Sequence, residues 1–135
     1  MGVLLVRRDR KKDFLINWYG WELIFKAALR GGWQPMGAIE PYIRDEDGYH
    51  LDKTGERVGY FVNDMQLVTD GDSIRFCYAL KGELKRMKTN FEARCKAKPR
   101  KLSKKESMWF RRRKKIIELM ELFLIIFNGE AFRIF

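Results

Sequence analysis

The sequence contains few of the residues from which metal sites are built. Its 135 residues include one histidine, His50, and two cysteines, Cys77 and Cys95, which stand 18 positions apart. Structural zinc sites need about four such ligands at short spacings, which this chain does not offer. Acidic residues between positions 45 and 56 partly match a calcium loop, but Gly48 stands two places before the position that requires glycine. We therefore expect no bound metal.

Catalytic motifs are also scarce. No serine lies in a G-x-S-x-G elbow, and the chain has neither a Walker motif nor a G-x-G-x-x-G loop. The carboxylates of Asp64, Asp70 and Asp72 cluster near a predicted helix start, where capping accounts for them without catalysis. We expect a protein that is not an enzyme and that needs no cofactor.

No hydrophobic run is long enough to cross a membrane. The longest, residues 122–127, has six residues, whereas a membrane-spanning helix needs about 20. The apolar N-terminus is too short for a signal peptide, and arginines follow it at once. We expect a cytoplasmic protein with no membrane partner, in which Cys77 and Cys95 act as small hydrophobic side chains; a disulfide between them is the less favoured alternative.

The chain is strongly basic, and its charge is unevenly distributed. It carries 28 Lys and Arg against 18 Asp and Glu, a formal net charge of +10. Residues 1–30 carry +4, residues 31–75 carry −5 and residues 76–135 carry +11, with the excess concentrated between positions 81 and 115. Such a positive field attracts nucleic acid, anionic lipid or an acidic protein surface, and it also keeps a protein soluble.

Apolar patterns predict a single α+β domain over residues 1–135, in which three helices pack with a small antiparallel sheet of three to five strands. Hydrophobic residues make up 46% of the chain, enough for a core. Strands are predicted at residues 3–6, 14–16 and 131–135. Residues 60–68 are predicted to form two strands around a turn, or one strand that leads into a helix. The acidic residues 42–59 are predicted to be a surface loop.

Capping residues and apolar periodicity predict three helices. The first follows Asn17, ends at Gly31 and Gly32, and has an apolar stripe consisting of Trp18, Trp21, Phe25, Ala28 and Leu29. The second begins at residues 69–72, which resemble a capping box, and ends at about Met87. The third runs from a capping box at residues 103–106 to about Phe127.

The residues between the last two helices differ from the rest. Residues 88–105 have few large apolar side chains and many cations, which predicts a basic, mobile segment; fraying of the second helix is the alternative. Five consecutive cations, residues 111–115, cover every side of the third helix. We therefore expect its C-terminal half to lie in the core and its N-terminal half to project or lie at the rim.

Three short patterns follow one another along the chain: Gly32-Trp33-Gln34-Pro35-Met36-Gly37, Asn63-Asp64-x-Gln66-x-Val68 and Phe132-Arg133-Ile134. Their order resembles that of a family of small, uncharacterised bacterial proteins. The resemblance covers most of the chain except residues 88–105, and it departs from the family pattern at Met65 and at Glu130-Ala131, where glycines are expected. It implies a bacterial, cytoplasmic origin and a compact α+β domain, and it transfers no site residues.

Two functions are compatible with this sequence. The favoured hypothesis is a non-enzymatic protein-binding or regulatory domain with an unidentified partner, by analogy an immunity protein, because acidic residues 40–56 and the basic elements offer surfaces of opposite charge. The alternative is sequence-independent nucleic-acid binding through the start of the third helix, where cations meet phosphates and an aromatic ring stacks on a base. The candidate residues for an acidic partner or a nucleic acid are Trp109, Arg111, Arg112, Arg113, Lys114 and Lys115.

Overall fold

The structure, a computed structural model, describes residues 2–7, 13–37, 42–46, 48–51 and 66–134. Three helices and a four-stranded antiparallel sheet confirm the predicted α+β fold. The elements in chain order are β1 (Gly2–Arg7), β2 (Asp13–Asn17), α1 (Trp18–Arg30), β3 (Tyr42–Asp45), β4 (Gly48–Leu51), β5 (Gln66–Val68), α2 (Asp70–Lys96), α3 (Lys104–Phe127) and β6 (Phe132–Ile134).

The four-stranded sheet joins the two ends of the chain. Its order is β2-β1-β6-β5, and each neighbouring pair is antiparallel. Leu5 of β1 lies opposite Phe14 of β2 on one edge and opposite Ile134 of β6 on the other. All three side chains are buried, whereas Leu15 is 74% exposed, because successive side chains of a strand point to opposite faces. One face of the sheet therefore carries the core.

Aromatic rings from all three helices meet over this buried face. Trp21 of α1 stacks on Phe76 of α2 with ring centroids 6.1 Å apart, and Phe123 of α3 lies 5.3 Å from Phe76. Phe132 of β6 completes the cluster with an edge-on contact to Phe123 at 5.7 Å. Burial of one large apolar side chain contributes roughly 1.5–3 kcal/mol, so this cluster is a major part of the stability.

The first helix begins and ends where predicted, but its buried face is wider. Its start is fixed by Asn17, whose Oδ1 accepts a hydrogen bond from the Gly20 N–H at 2.7 Å. Trp21 is buried as predicted, and so is Ile24, which lies outside the predicted stripe, whereas Leu29 is 41% exposed. The helix packs against the sheet and both other helices, so a single stripe underestimates its buried face.

The segment after α1 is anchored to the start of α2 through one carboxylate. The two Asp72 oxygens accept hydrogen bonds from the Trp33 indole N–H at 2.9 Å and from the Met36 backbone N–H at 3.1 Å. Thr69 Oγ1 caps α2 by accepting from the Asp72 N–H at 3.4 Å. The Asp72 side chain thus turns to the neighbouring segment, and only the Thr69 half of the predicted capping box is present.

The predicted end of the second helix, at about Met87, is wrong. α2 continues to Lys96 because Phe91 packs against Trp109 and Phe110 of α3, which supplies an apolar contact beyond the main core. Most of the predicted basic segment is therefore helical, with a short connection of residues 97–103 between α2 and α3. Its mobility stays a prediction.

The predicted surface loop of residues 42–59 is wrong where the structure describes it. β3 and β4 pair antiparallel, with Tyr42 opposite Leu51 and Asp45 opposite Gly48. Tyrosine and isoleucine in this stretch favour extended backbone, and a two-residue connection suits a tight hairpin, which outweighs the acidic composition. Residues 52–65, which include the predicted strand at 60–62, lie outside the described residues.

The third helix matches its prediction at both ends and on its buried face. Ser103 and Glu106 form the full capping box, and Asn128 ends the helix in a left-handed conformation. Its C-terminal half lies in the core, as predicted, where four large side chains are buried: Ile116, Met120, Phe123 and Phe127. Within the described part of the chain, every helix is too short or too polar to span a bilayer.

The two cysteines lie in different surroundings. Cys77 is buried, and burial raises the pKa of its thiol above the ordinary value. Cys95 is exposed, so of the two thiols predicted to act as small hydrophobic side chains, only that of Cys77 is buried. Both stand on α2, and 18 residues of helix separate them by about 27 Å, far beyond the reach of a disulfide.

Candidate functional site

The second and third helices form an antiparallel pair whose far end extends beyond the sheet-covered core. Near the middle of the pair, Lys88 Nζ lies 3.6 Å from Glu121 Oε1, and toward the far end Phe91 meets Trp109. We call residues 84–115 the basic hairpin; it contains the end of α2, the connection and the start of α3. This region includes all six candidate residues from the sequence.

The basic hairpin carries more than the entire net charge of the protein. It contains 15 Lys and Arg against two Asp and Glu, a net charge of +13 in a chain whose total is +10. The other residues of the chain are therefore slightly acidic, at −3. Fourteen of the 15 cationic side chains are exposed, and Arg113 is half-buried. The charge is thus displayed on the outside of one structural unit.

An aromatic cluster fills the inside of the basic hairpin. The rings of Phe91 and Trp109 stack with centroids 6.3 Å apart, and Phe110 packs edge-on against both. All three residues are half-buried. Such ring pairs add about 0.5–1.5 kcal/mol each beyond the burial of their area, so the two helices are held together where the sheet no longer covers them.

Two arginines lie on the tryptophan of this cluster. The guanidinium carbon of Arg94 lies 4.5 Å from the centroid of the Trp109 ring, and that of Arg113 lies 5.2 Å away. Lys98 Nζ lies 5.1 Å from the centroid of Phe110. Cations over aromatic faces gain about 0.5–2 kcal/mol, which restricts these side chains to fewer conformations than their neighbours have.

The charge around Arg113 is strongly unbalanced. The pKa of Arg113 is lowered, first because its guanidinium is partly desolvated and then because Arg30, Arg86 and Arg94 place positive charge near it. The negative charge in these surroundings comes from Glu83, which is 3% exposed.

Glu83 binds two of these arginines and joins the basic hairpin to the first helix. Its carboxylate accepts hydrogen bonds from Arg86 Nε at 2.9 Å and Arg86 Nη2 at 2.6 Å, and from Arg30 Nε at 3.1 Å. The hydrogen bond from Arg86 is the main reason why the pKa of Glu83 lies below its usual value; burial opposes the shift. Arg30 and Arg86 are thus partly neutralised.

The exposed side of α2 forms a shallow groove of about 780 Å³. Small residues, three cations and one amide line this groove. The lining residues are Gly82, Lys85, Arg86, Thr89, Asn90, Ala93, Arg94 and Ala97. A second cavity of about 200 Å³ lies at the end of the hairpin, next to Trp109, Phe110, Arg94 and Lys98. Glu106 also lines this second cavity, and its Oε1 accepts a hydrogen bond from the Ser103 N–H at 3.3 Å.

The six candidate residues do not behave as one uniform run. Successive residues of a helix point in directions about 100° apart, so a run of five cations cannot face one way. Four of the five cations are exposed: Arg111, Arg112, Lys114 and Lys115. Trp109 and Arg113 stand four positions apart and meet on the inner side of the hairpin. Whether these residues bind a ligand stays a prediction.

The sequence located the positive charge between positions 81 and 115 but named no candidate residue on α2. The structure adds Lys85, Arg86 and Arg94 of α2 to the candidate residues. The predicted helix end at Met87 had left Arg94 outside the second helix, which continues to Lys96. The four-residue spacing of Trp109 and Arg113 was available from the sequence as a helical pair.

The carboxylates at the start of α2 have structural partners. Asp72 binds Trp33 and Met36, as described above, and Asp70 Oδ1 accepts from the Ala131 N–H at 2.8 Å. Nearby, Ser73 Oγ donates to the Glu130 carbonyl at 2.7 Å. Among the described residues there is no group of three or more His, Cys, Asp and Glu side chains that could hold a metal ion. The side chain of His50 lies outside the described residues.

Comparisons with known proteins do not assign the chain to a family. No protein-family model matches the chain, and searches among curated protein sequences and solved structures gave no significant match. The resemblance to a family of small bacterial proteins stays a prediction.

Proposed function

We propose that the protein binds nucleic acid through the basic hairpin, without sequence preference. The observation that carries the proposal is the placement of a net charge of +13 on the outside of a two-helix unit whose aromatic side chains face inward. Phosphate contacts of Lys and Arg supply nearly all of the free energy of sequence-independent binding to nucleic acid. This function is the alternative from the sequence, and the described geometry supports it better than the favoured one.

The composition of the surface favours nucleic acid over an acidic protein. Protein interfaces centre on buried aromatic and aliphatic anchors and contain few charges in their core. In the basic hairpin the aromatic residues Phe91, Trp109 and Phe110 pack against one another, and the cations occupy the outer surface. Protein surfaces that bind nucleic acid are more polar and far more positively charged than those that bind proteins, and the basic hairpin has both properties.

A non-enzymatic protein-binding function is the second candidate. Its support comes from a different face of the molecule, where Ile74 is 58% exposed and Tyr78, one turn later on α2, is 81% exposed. A bacterial, cytoplasmic setting is part of this proposal and rests on the family resemblance. If this candidate is correct, an Ile74→Ser/Tyr78→Ser variant loses a co-purifying protein partner and keeps any binding to nucleic acid.

A titration of labelled 20-nucleotide DNA and RNA, single- and double-stranded, tests the main proposal. We expect binding at low salt that weakens steeply as salt increases. If the five cations of residues 111–115 each meet a phosphate, the log–log slope of the binding constant against salt concentration is roughly −4.5 on duplex DNA. The control ligand is a poly-glutamate peptide whose net charge equals that of the single-stranded nucleic acid. Tighter binding of that peptide overturns the proposal in favour of an acidic protein, and no binding to any nucleic acid at low salt rejects it.

The chain offers a matched pair of variants for locating the surface. Arg111→Gln/Lys114→Gln removes one arginine and one lysine from exposed positions of the basic hairpin. Lys26→Gln/Arg75→Gln removes the same charges from exposed positions elsewhere. We expect the first variant to weaken binding about four-fold or more and the second to weaken it less than about two-fold. Equal losses contradict a site on the hairpin.

A further inference from the structure

Two arginines of the basic hairpin are held close together by one aromatic ring. Arg94 of α2 and Arg113 of α3 lie on Trp109, with guanidinium carbons 4.5 and 5.2 Å from its ring centroid. The two carbons are therefore at most 9.7 Å apart. Because the arginines come from different helices, this arrangement exists only when the hairpin is formed.

These two arginines differ from Arg30 and Arg86 in their acidic surroundings. Arg30 and Arg86 share the buried carboxylate of Glu83. Among the described residues, by contrast, no carboxylate forms an ion pair with Arg94 or Arg113. Glu106 borders the adjacent cavity, but its Oε1 is engaged by the Ser103 N–H. The cluster of four guanidiniums and one carboxylate thus has room for more negative charge.

Stacking on a ring prepares an arginine for an oxyanion. A guanidinium that stacks on an aromatic ring keeps the N–H groups along its edge available as donors. Two arginines fixed in this way lose less side-chain entropy on binding than two freely rotating ones. Lys98, which lies over Phe110, borders the same 200 Å³ cavity as Arg94 and adds positive charge on that side of Trp109.

We infer that Arg94 and Arg113, positioned by Trp109, form a clamp for a single phosphate group of the nucleic-acid backbone. The clamp rests on the proposed function and sharpens it, because it singles out one phosphate site from a broad basic surface. Trp109 is a positioning residue here, and its ring serves the two arginines instead of stacking on a base.

Adjacent arginines provide the matched test. Arg113→Ala and Arg112→Ala remove the same charge from neighbouring positions of α3, but Arg113 lies on Trp109 and Arg112 is exposed. We expect Arg113→Ala to weaken binding to duplex DNA at fixed salt by about ten-fold, and Arg112→Ala by about two-fold. Arg94→Ala is expected to match Arg113→Ala. Equal effects at positions 112 and 113 overturn the clamp.

Three variants that keep the net charge separate positioning from general stability. Arg113→Lys retains the charge but removes the planar guanidinium, with its paired N–H donors and its contact with the Trp109 ring. We therefore expect a loss of about five-fold in affinity with an unchanged melting temperature. Trp109→Leu is expected to weaken binding to a similar extent, and Trp109→Phe to restore most of it, because phenylalanine still offers a ring face. Full affinity in Arg113→Lys contradicts the clamp even if Trp109→Leu unfolds.

The outcomes also separate the two proposals. If the unmodified chain binds no nucleic acid at low salt, the proposed function fails. If it binds but Arg112→Ala and Arg113→Ala weaken binding equally, the basic hairpin is the interface and the clamp alone is wrong.

Discussion

The two ends of the α2–α3 pair are stabilised by different contacts. Near the sheet, Phe76 and Phe123 are almost fully buried among rings from α1 and β6. At the other end, Phe91 and Trp109 are half-buried, and the cations of the basic hairpin surround them. The first end packs against α1 and β6, whereas the ring contacts of the second end are with the opposite helix. A helix pair that leaves its sheet can therefore display charge on nearly every side while a small aromatic cluster holds it together.

The largest loss of stability is expected from a substitution in the part of α3 that lies near the sheet. Phe123→Ala removes a fully buried ring that touches Trp21, Phe76, Phe127 and Phe132. Loss of the ring and the cavity left behind cost about 3–5 kcal/mol of unfolding free energy. Chemical denaturation followed by circular dichroism measures this change. A loss below about 1 kcal/mol would show that the core can repack around this position.

The next effect concerns the junction between the two ends. Glu83→Gln keeps the size of a 3% exposed side chain but removes the charge that binds Arg30 and Arg86. We expect a loss of about 2 kcal/mol at neutral pH, since hydrogen bonds to charged groups contribute about 1.5–3 kcal/mol. Urea denaturation of the variant beside the unmodified chain gives the value.

Glu83 also makes stability depend on pH. The pKa of Glu83 is lowered in the folded state, chiefly by the hydrogen bond from Arg86. Its contribution is therefore complete above the unfolded-state pKa of about 4.3 and is lost as pH falls through the lower folded-state pKa. The pH profile of unfolding free energy should be flatter in Glu83→Gln than in the unmodified chain below that pH. Parallel profiles would show that Glu83 does not control this dependence.

Phe91→Ala tests the hairpin end of the comparison. The ring is half-buried between α2 and α3, so we expect about 1–2 kcal/mol of destabilisation, well below the loss at Phe123. The change should be local, and hydrogen exchange should speed up in residues 88–110 while the sheet keeps its protection. Uniform acceleration across the sheet would indicate that the hairpin and the core unfold as one unit.

The smallest expected effect is at the start of α3. Ser103→Ala removes the side-chain oxygen that accepts from the Glu106 N–H at 3.1 Å. Loss of an exposed cap of this kind costs about 0.5–1 kcal/mol. Thermal melting compares it with Ser103→Asp, which keeps an acceptor and should restore the stability. A drop shared by both variants would assign the effect to something other than the cap.

The comparison also explains which features were predictable from sequence. The caps at Asn17 and Ser103, and the inner face of α3, depend on contacts within a few residues, and each was predicted correctly. The end of α2 was not, because Phe91 stabilises the last turns of the helix through a ring 18 residues later in the chain. The β3–β4 hairpin was also missed, since acidic residues and glycines concealed a short run of strand-forming side chains.

The candidate site was predicted in part. The excess of positive charge near the start of α3 follows from counting residues, and all six candidate residues lie in the basic hairpin. Charge alone does not separate Arg113 from Arg111 or Arg112, whereas the four-residue spacing from Trp109 does, because residues four apart lie on the same side of a helix. Arg94 belongs to the site because α2 continues beyond its predicted end and brings this residue next to Trp109.

The order of residues by itself determined the α+β plan, the helix starts and the concentration of charge, because hydrogen-bonded caps, apolar periodicity and net charge are local or additive. Tertiary structure alone decided that Arg94 of α2 lies on Trp109 of α3 and that Arg30 of α1 shares Glu83 with Arg86. The contacts of Arg94 and Arg30 join residues on different helices, and a pairing between helices depends on how both pack against a common core.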